Sequence, residues 1–324
     1  MKLIKYIFCL SAAAVSLNFA AAQESSVPAA GETSAMQFLG VGASPREWAM
    51  GGVQTGTQSD AYAQFGSVAA VPFWDETLSA GASYTMWQPD ALNSNMIAAG
   101  AAWNIAERFG VTFGVQTGLN PAYDITTSAG VPDGSFSPFD LRVGAGFAWR
   151  FIDCLSLGVG LNYASSSLAP ATEAYSGTLS SFAADVQLMF VTDHFDVSLT
   201  ASNLGTPVSS ASGESFALPM NARLAAGYSN DFGRHELSAG VEGGMFFGGA
   251  SAMFAGVGAE YMYNDFVAVR AGWHYGSESN GVPTFASVGL GFKFCGVNID
   301  AAYLIAPAGS PMQNTMSFGV GYSF

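Results

Sequence analysis

From about Thr77 to its last residue, the chain alternates large apolar residues with small or polar ones at every second position. That is the period of a strand whose two faces meet different surroundings. Leu155, Leu157, Val159, Leu161 and Tyr163 share one face, while Ser156, Gly158, Gly160, Asn162 and Ala164 share the other. The final segment repeats the pattern, with Met316, Phe318, Val320, Tyr322 and Phe324 set against Ser317, Gly319, Gly321 and Ser323. The alternation predicts fourteen strands, near 77–87, 95–104, 109–118, 139–150, 155–165, 180–190, 195–203, 219–228, 236–246, 251–262, 266–275, 284–294, 296–305 and 314–324. An even count is the rule for bacterial single-chain barrels. Segments of about ten residues, each rising about 3.3 Å, cross an apolar band ~25 Å tall when tilted.

The phase of the charges tests this reading. Asp140, Arg142, Arg150, Asp185, Asp196, Arg223, Glu236, Glu242, Glu260, Arg270, Lys293 and Asp300 all fall on the small, polar face. A charge facing lipid at the midplane costs ~2–4 kcal/mol. A soluble β-sandwich shows the same alternation with its apolar face turned inward. The other occupants of the polar face separate the two: Gly, Ser and Ala crowd it, as in a narrow lumen, where a water-facing sheet carries Lys, Thr and Glu. Composition agrees. Charged residues are 10 % of the chain and hydrophobic ones 50 %, against about 25 % charged in an average soluble domain. Beyond the extreme N-terminus no run reaches the ~18 apolar residues of a membrane helix. The expected fold is therefore all-β, a 14-stranded antiparallel transmembrane β-barrel in the outer membrane, in contact with outer-membrane lipid. The aromatic and aliphatic content excludes disorder. Ten basic residues against 24 acidic ones argue against nucleic acid as a partner.

Residues 1–22 read as a signal peptide: Lys2 and Lys5, an apolar stretch from Ile7 to Phe19, and Ala20-Ala21-Ala22 before Gln23. Their removal leaves eight basic against 24 acidic residues. Cys9 goes with them, leaving Cys154 and Cys295, which the strand order places almost across the barrel from each other. A disulfide needs Cα atoms within about 7 Å, so two free thiols are expected. Residues 23–76 form an N-terminal tail and, from Ala35, a Gly-rich segment without clean alternation. It reads as a luminal plug, with a periplasmic tail as the alternative. Residues 77–324 form the barrel. Connections alternate between long loops and tight turns, the outer and periplasmic rims of such barrels.

Catalytic and metal motifs are absent from the sequence. His194, His235 and His274 are far apart, with no His-x-x-x-His or Cys-x-x-Cys spacing. Ser277 and Glu278 follow His274, but Ser is abundant here. The chain is read as no enzyme and as needing no cofactor. The candidates for function are the inward charges Arg142, Arg150, Asp185, Arg223, Glu236, Glu242, Glu260, Arg270, Lys293 and Asp300. They form either a mutually satisfied network holding the plug or a polar path for a solute. The outer loops are acidic, with Asp90, Asp124, Asp133, Glu173 and Glu214.

The stretch Phe38-Leu39-Gly40-Val41-Gly42-Ala43-Ser44-Pro45-Arg46-Glu47-Trp48-Ala49-Met50-Gly51-Gly52 resembles the opening of mature PorV/PorQ-family proteins. Ser59 to Phe65 is similar to the next family segment. Ser83-Tyr84-Thr85-Met86-Trp87 resembles the family's Ser-Tyr-Thr-Pro-Trp. The match covers residues 35 to about 105. It departs from the family where a Trp-Asn-Pro-Ala-like stretch is Gln64 to Ala70, and where Pro is Met86. The resemblance implies a barrel of the fatty-acid-transporter type in the outer membrane of Bacteroidetes-like bacteria. It also implies a role in type IX secretion, with the translocon and the C-terminal domains of secreted cargo proteins as partners. Arg46, Met50, Gly51 and Gly52 are then the plug motif, and Trp87, Asp90, Asp124 and Asp133 are candidate outer-loop contacts. The rival expectation is a transporter for small hydrophobic or amphipathic solutes, gated by the plug. It requires an apolar pocket between plug and wall.

Overall fold

The computed structural model describes residues 34–56, 58–126, 131–170, 177–209, 215–247, 251–277 and 280–324. The signal segment, the start of the tail, Glu173, Glu214 and Glu278 lie outside the described residues. Fourteen strands close into one antiparallel barrel. They are β1 Leu78–Trp87, β2 Ser94–Ile105, β3 Phe109–Leu119, β4 Phe139–Ile152, β5 Leu155–Ser167, β6 Thr178–Val191, β7 Phe195–Gly205, β8 Asn221–Phe232, β9 His235–Phe246, β10 Ala252–Tyr263, β11 Val267–Gly276, β12 Phe285–Phe294, β13 Val297–Ile305 and β14 Met316–Ser323. All fourteen expected strands are present, each within a few residues of its expected bounds. β1 pairs with β14 from Ser79↔Ser323 to Met86↔Met316, so no strand edge is left open. Closure is what lets a sheet cross lipid, because hydrocarbon offers no partner to an unpaired N–H or C=O.

The two faces settle the choice between membrane barrel and sandwich. The apolar face is the exposed one: Leu157, Val159, Leu161 and Tyr163 all point outward, Leu161 with 64 % of its surface free. The small and polar face is buried, with Ser156, Asn162 and Ala164 at 1 % or less. A soluble sheet would bury the former and wet the latter. Aromatics gather outward near both rims, including Trp149, Phe195, Tyr261, Phe294 and Tyr322 by the turns and Tyr84, Tyr163 and Trp273 by the loops. Such rings belong at membrane interfaces. The barrel is an outer-membrane protein in contact with lipid.

The turns at one rim are tight. Cys295 and Gly296 both take positive φ, +50° and +81°, as a two-residue hairpin of the primed type requires. The other rim carries the long connections, among them 120–138, where Tyr123–Thr126 and Pro132–Phe136 pair as a small hairpin. Cys295 is free and exposed. Cys154 is buried and disulfide-bonded. The expectation of a free thiol is thus corrected at Cys154 and met at Cys295. The two cysteines are not joined to each other.

Residues 36–74 fill the lumen. They form a 3-10 turn at Gln37–Gly40, a helix α1 at Pro45–Ala49, and 3-10 turns at Ala63–Phe65 and Val68–Phe73. Pro45 opens α1, where its missing N–H is not needed. Gly51 and Gly52 end it at φ +73° and +79°, the left-handed stop that glycine adopts without strain. The chain reverses there against the barrel wall: a Cβ on Gly51 would sit 2.7 Å from the Trp273 backbone N and O. The wall gives way in return, since a Cβ on Gly272 would overlap the Gly51 nitrogen. The glycines of the inner face are thus the imprint of the plug. At the turn-side end the packing is complete, with Ala69, Ala70 and Val71 essentially without exposure and Trp74 at 2 %.

Gly51→Val combines a forbidden φ with a clash against fixed backbone and should unseat the plug while the barrel still closes. Heat-modifiable gel migration should be retained, and single-channel conductance should rise above that of the parent. Unchanged conductance would contradict the fit described.

Candidate functional site

The plug is irregular backbone at membrane depth, tolerated only where its polar groups find partners inside the protein. The inner face supplies them. Ser83 Oγ donates to Ala43 O at 2.7 Å. Ser287 Oγ accepts from Gly51 N–H and donates to Ala49 O, at 3.1 and 3.0 Å. Glu242 accepts from Gln54 N–H, Asp196 from Gly56 N–H and Gln187 from Ala69 N–H. Asn104 Nδ2 donates to Trp74 O at 2.8 Å.

The inward charges do not form one network but separate groups. The largest holds the plug: Arg46 places its Nε and Nη2 on Glu260 at 3.2 and 3.0 Å. Glu260 also pairs with Arg270, which reaches Asp300 at 2.5 Å. Arg142 pairs with Asp185 at 3.2 Å. The other Asp185 oxygen accepts from Asn203 N–H at 2.7 Å, bridging the bulge where the β6–β7 register shifts. Arg223 faces Glu242 at 3.9 Å. The remaining candidates sit elsewhere. Lys293 pairs with Glu76 and Asp265 at the turn rim. Arg150 donates to Asp153 O at that rim and lies over the Phe73 ring. Glu236 accepts from Gln58, Ser229 and Ser238. The reason is distance along the strands: charges of the same face lie at different heights in the lumen.

One loop-side candidate also needs correction. Trp87 is not an outer contact. Its parity with Ser83 and Thr85 turns it inward, onto Trp48 with ring centroids 5.3 Å apart. Asp90 accepts from Asn314 at 2.6 Å, tying two loops together. Asp124 and Asp133 are exposed on the 123–136 hairpin. Met50 is buried, with its carbonyl against Gly258.

Above the plug lies a cavity of about 1660 Å³, bounded by the outer halves of the strands and the long loops. Its floor is the plug from Met36 to Gly42 with Trp48, and its walls include Trp87, Met96, Leu179, Phe246, Phe254 and Phe285. These walls break the rule of the inner face. Large apolar residues occupy inward positions at the loop-side ends of β1, β2, β6, β9, β10 and β12, where small or polar ones are found deeper. That break is legible in the sequence, at Phe254 before Gly256 and Gly258 and at Phe285 before Ser287 and Gly289, and marks where plug contact gives way to open space. The sequence reading missed it. The charged groups at the floor are engaged: Arg142 and Arg223 with their carboxylates, Asp140 with Ser166 and Asn120, and Glu47 with Gln54 Nε2 at 2.6 Å. Burial pushes the Glu47 carboxyl up to about 8, with the Gln54 hydrogen bond and Arg223 pulling weakly the other way.

No protein-family model and no curated protein matches the chain. Solved structures do. The toluene transporter TbuX of Ralstonia pickettii is 15 % identical, with TM-score 0.58 over 87 % of this chain and 98 % of that one. The Pseudomonas putida toluene transporter TodX is 12 % identical, with TM-score 0.57 over 87 % and 96 %. A Pseudomonas aeruginosa FadL homologue is 13 % identical, with TM-score 0.52 over 87 % and 98 %. At these identities the likeness is one of fold.

Glu47 gives the plug a pH dependence of known sign. Its seated pKa lies above its ordinary value, so the seated state binds the extra proton. Seating is favoured most below about 4.5 and loses that contribution as pH rises toward 8. Channel conductance should therefore increase between pH 5 and pH 9, and Glu47→Gln should flatten the rise. An equal rise in the variant would assign it to another group.

Proposed function

We propose that the protein is a non-catalytic entry route for small hydrophobic or amphipathic solutes across the outer membrane, with the plug as its gate. The observation that carries this is the cavity: an apolar-walled space of about 1660 Å³, reached from the loop side and ending on the plug. A cleft of this kind, mostly apolar with a few placed polar groups, is the usual form of a small-molecule site. The similar folds support it, since TbuX and TodX are toluene transporters. The secretion role rests on the resemblance at Phe38–Gly52 and Ser83–Trp87. Those residues are spent on the plug seat and the cavity wall: Ser83 and Trp87 hold the plug, and Arg46 is bound to Glu260. The reading includes no cofactor and no protein partner.

The test is uptake by whole cells whose lipopolysaccharide layer keeps apolar solutes out. Cells expressing the protein should take up labelled toluene several-fold faster than cells carrying an empty vector. Leu179→Arg, which sets a charge into the apolar wall, should return uptake to the empty-vector rate. Uptake equal to the vector control, together with secreted cargo co-purifying from gently solubilised membranes, would replace the transport reading with the secretion one.

A further inference from the structure

One wall of the cavity is a continuous run of rings. Phe246 and Phe254 have centroids 5.2 Å apart, Phe254 and His274 6.1 Å, and His274 and Phe285 4.9 Å. Phe285 then meets Trp48 at 6.1 Å, and Trp48 meets Trp87 at 5.3 Å. Within this run the imidazole of His274 lies nearly parallel to its neighbours, at 17° to Phe254 and 12° to Phe285. Neighbouring strands present these three rings side by side, so their edges face the cavity.

His274 differs from the others in having two nitrogens. Nδ1 lies 3.1 Å from the carbonyl oxygen of Gly51. A carbonyl only accepts, so the Nδ1 of the ring carries the proton, and in the neutral imidazole Nε2 is then an acceptor. Nε2 has no partner among the described residues. A phenylalanine would complete the stack equally well, and the plug contact uses only Nδ1. An open acceptor remains in an otherwise apolar wall.

The charges of the cavity narrow the ligand further. The cations that line it, Arg142 and Arg223, each face a carboxylate of their own. Each guanidinium charge is already balanced by its carboxylate, so an anionic head group would enter the cavity as an uncompensated charge.

We propose that this wall is a subsite for a small neutral aromatic solute bearing one O–H or N–H donor, of the phenol class. The donor bonds to His274 Nε2 while the ring packs against the edges of Phe254, Phe285 and Trp48. The inference rests on the transport reading and adds the chemical class of the solute. A ring face against ring edges is a favoured aromatic geometry. A hydroxyl seated against apolar rings without a partner loses most of its affinity, so the acceptor decides which rings are held.

Three para-substituted probes of similar shape test this: p-cresol, p-xylene and p-toluate, titrated by ligand-observed NMR against the full chain in amphipol. His274→Phe keeps the stack and removes the acceptor. It should weaken p-cresol about tenfold and leave p-xylene within about twofold. His274→Gln, which can donate to Gly51 or offer an oxygen to the ligand, should retain part of the p-cresol affinity. p-Toluate should bind the parent at least tenfold more weakly than p-cresol. Retained heat-modifiable migration shows that each variant is folded. Equal losses of p-cresol and p-xylene in His274→Phe, or p-toluate binding as well as p-cresol, would overturn the subsite and leave the transport reading standing. Failure of the parent to bind any probe, with no toluene uptake by cells, would overturn both.

Discussion

A stretch of irregular backbone packed against the inside of a lipid-embedded barrel meets water only where it borders the loop-side cavity; elsewhere its N–H and C=O groups need partners in the protein, and this constraint shapes the molecule. Each buried polar group left unpaired costs about 1–3 kcal/mol, so a plug of some forty residues is tolerable only if the barrel supplies partners. The inner-face Ser83, Asn104, Gln187, Asp196, Glu242 and Ser287 do so, each bonded to plug backbone. The polar face of the strands is therefore a seat, cut to one occupant.

Two further features follow from seating a chain this tightly. The wall must lack side chains where the backbone passes closest, which explains why Gly256, Gly258, Gly272 and Gly289 crowd the end of α1 and the residues that follow it. Charge must be placed where it is matched. Removing one member of a buried pair costs roughly 3–5 kcal/mol, although a complete buried pair adds little net stability. The Arg46–Glu260–Arg270–Asp300 group therefore acts more through orientation than through strength, since only one position of α1 brings Arg46 onto Glu260. Among the described residues Glu47 has no such cation in contact. It meets an amide instead, and burial favours its neutral form.

The barrel was legible because its signal is repeated fourteen times and every repeat obeys the same parity. Strand number, facing and closure all follow from period-2 alternation and the cost of charge in lipid. The inner face could be read as polar but not as partitioned. Parity gives the side a residue points to, whereas height along the strand decides its partner, so Arg46–Glu260 and Lys293–Glu76 could not be told apart in advance. Trp87 shows the opposite failure. Its parity was readable and pointed inward, but its place at a strand end suggested an outer-loop contact. The cavity was announced by Phe254 and Phe285, large residues on a face otherwise small. Nothing in a linear reading joins them to Trp48, which reaches them only because the plug folds back through the lumen.

Seat and cavity together describe a barrel that, among the described residues, is closed at its turn side and open, with apolar walls, at its loop side. The account's central claim is that this outer cavity receives small apolar rings above a seated plug. Its most direct measurement is a crystal structure of the protein soaked with p-bromophenol, with the bromine located by anomalous scattering. The account predicts one bromine site inside the cavity, within van der Waals distance of Phe285 and Trp48, with Arg46 still on Glu260. Bromine found only on the lipid-facing wall, with the cavity unaltered, would contradict it.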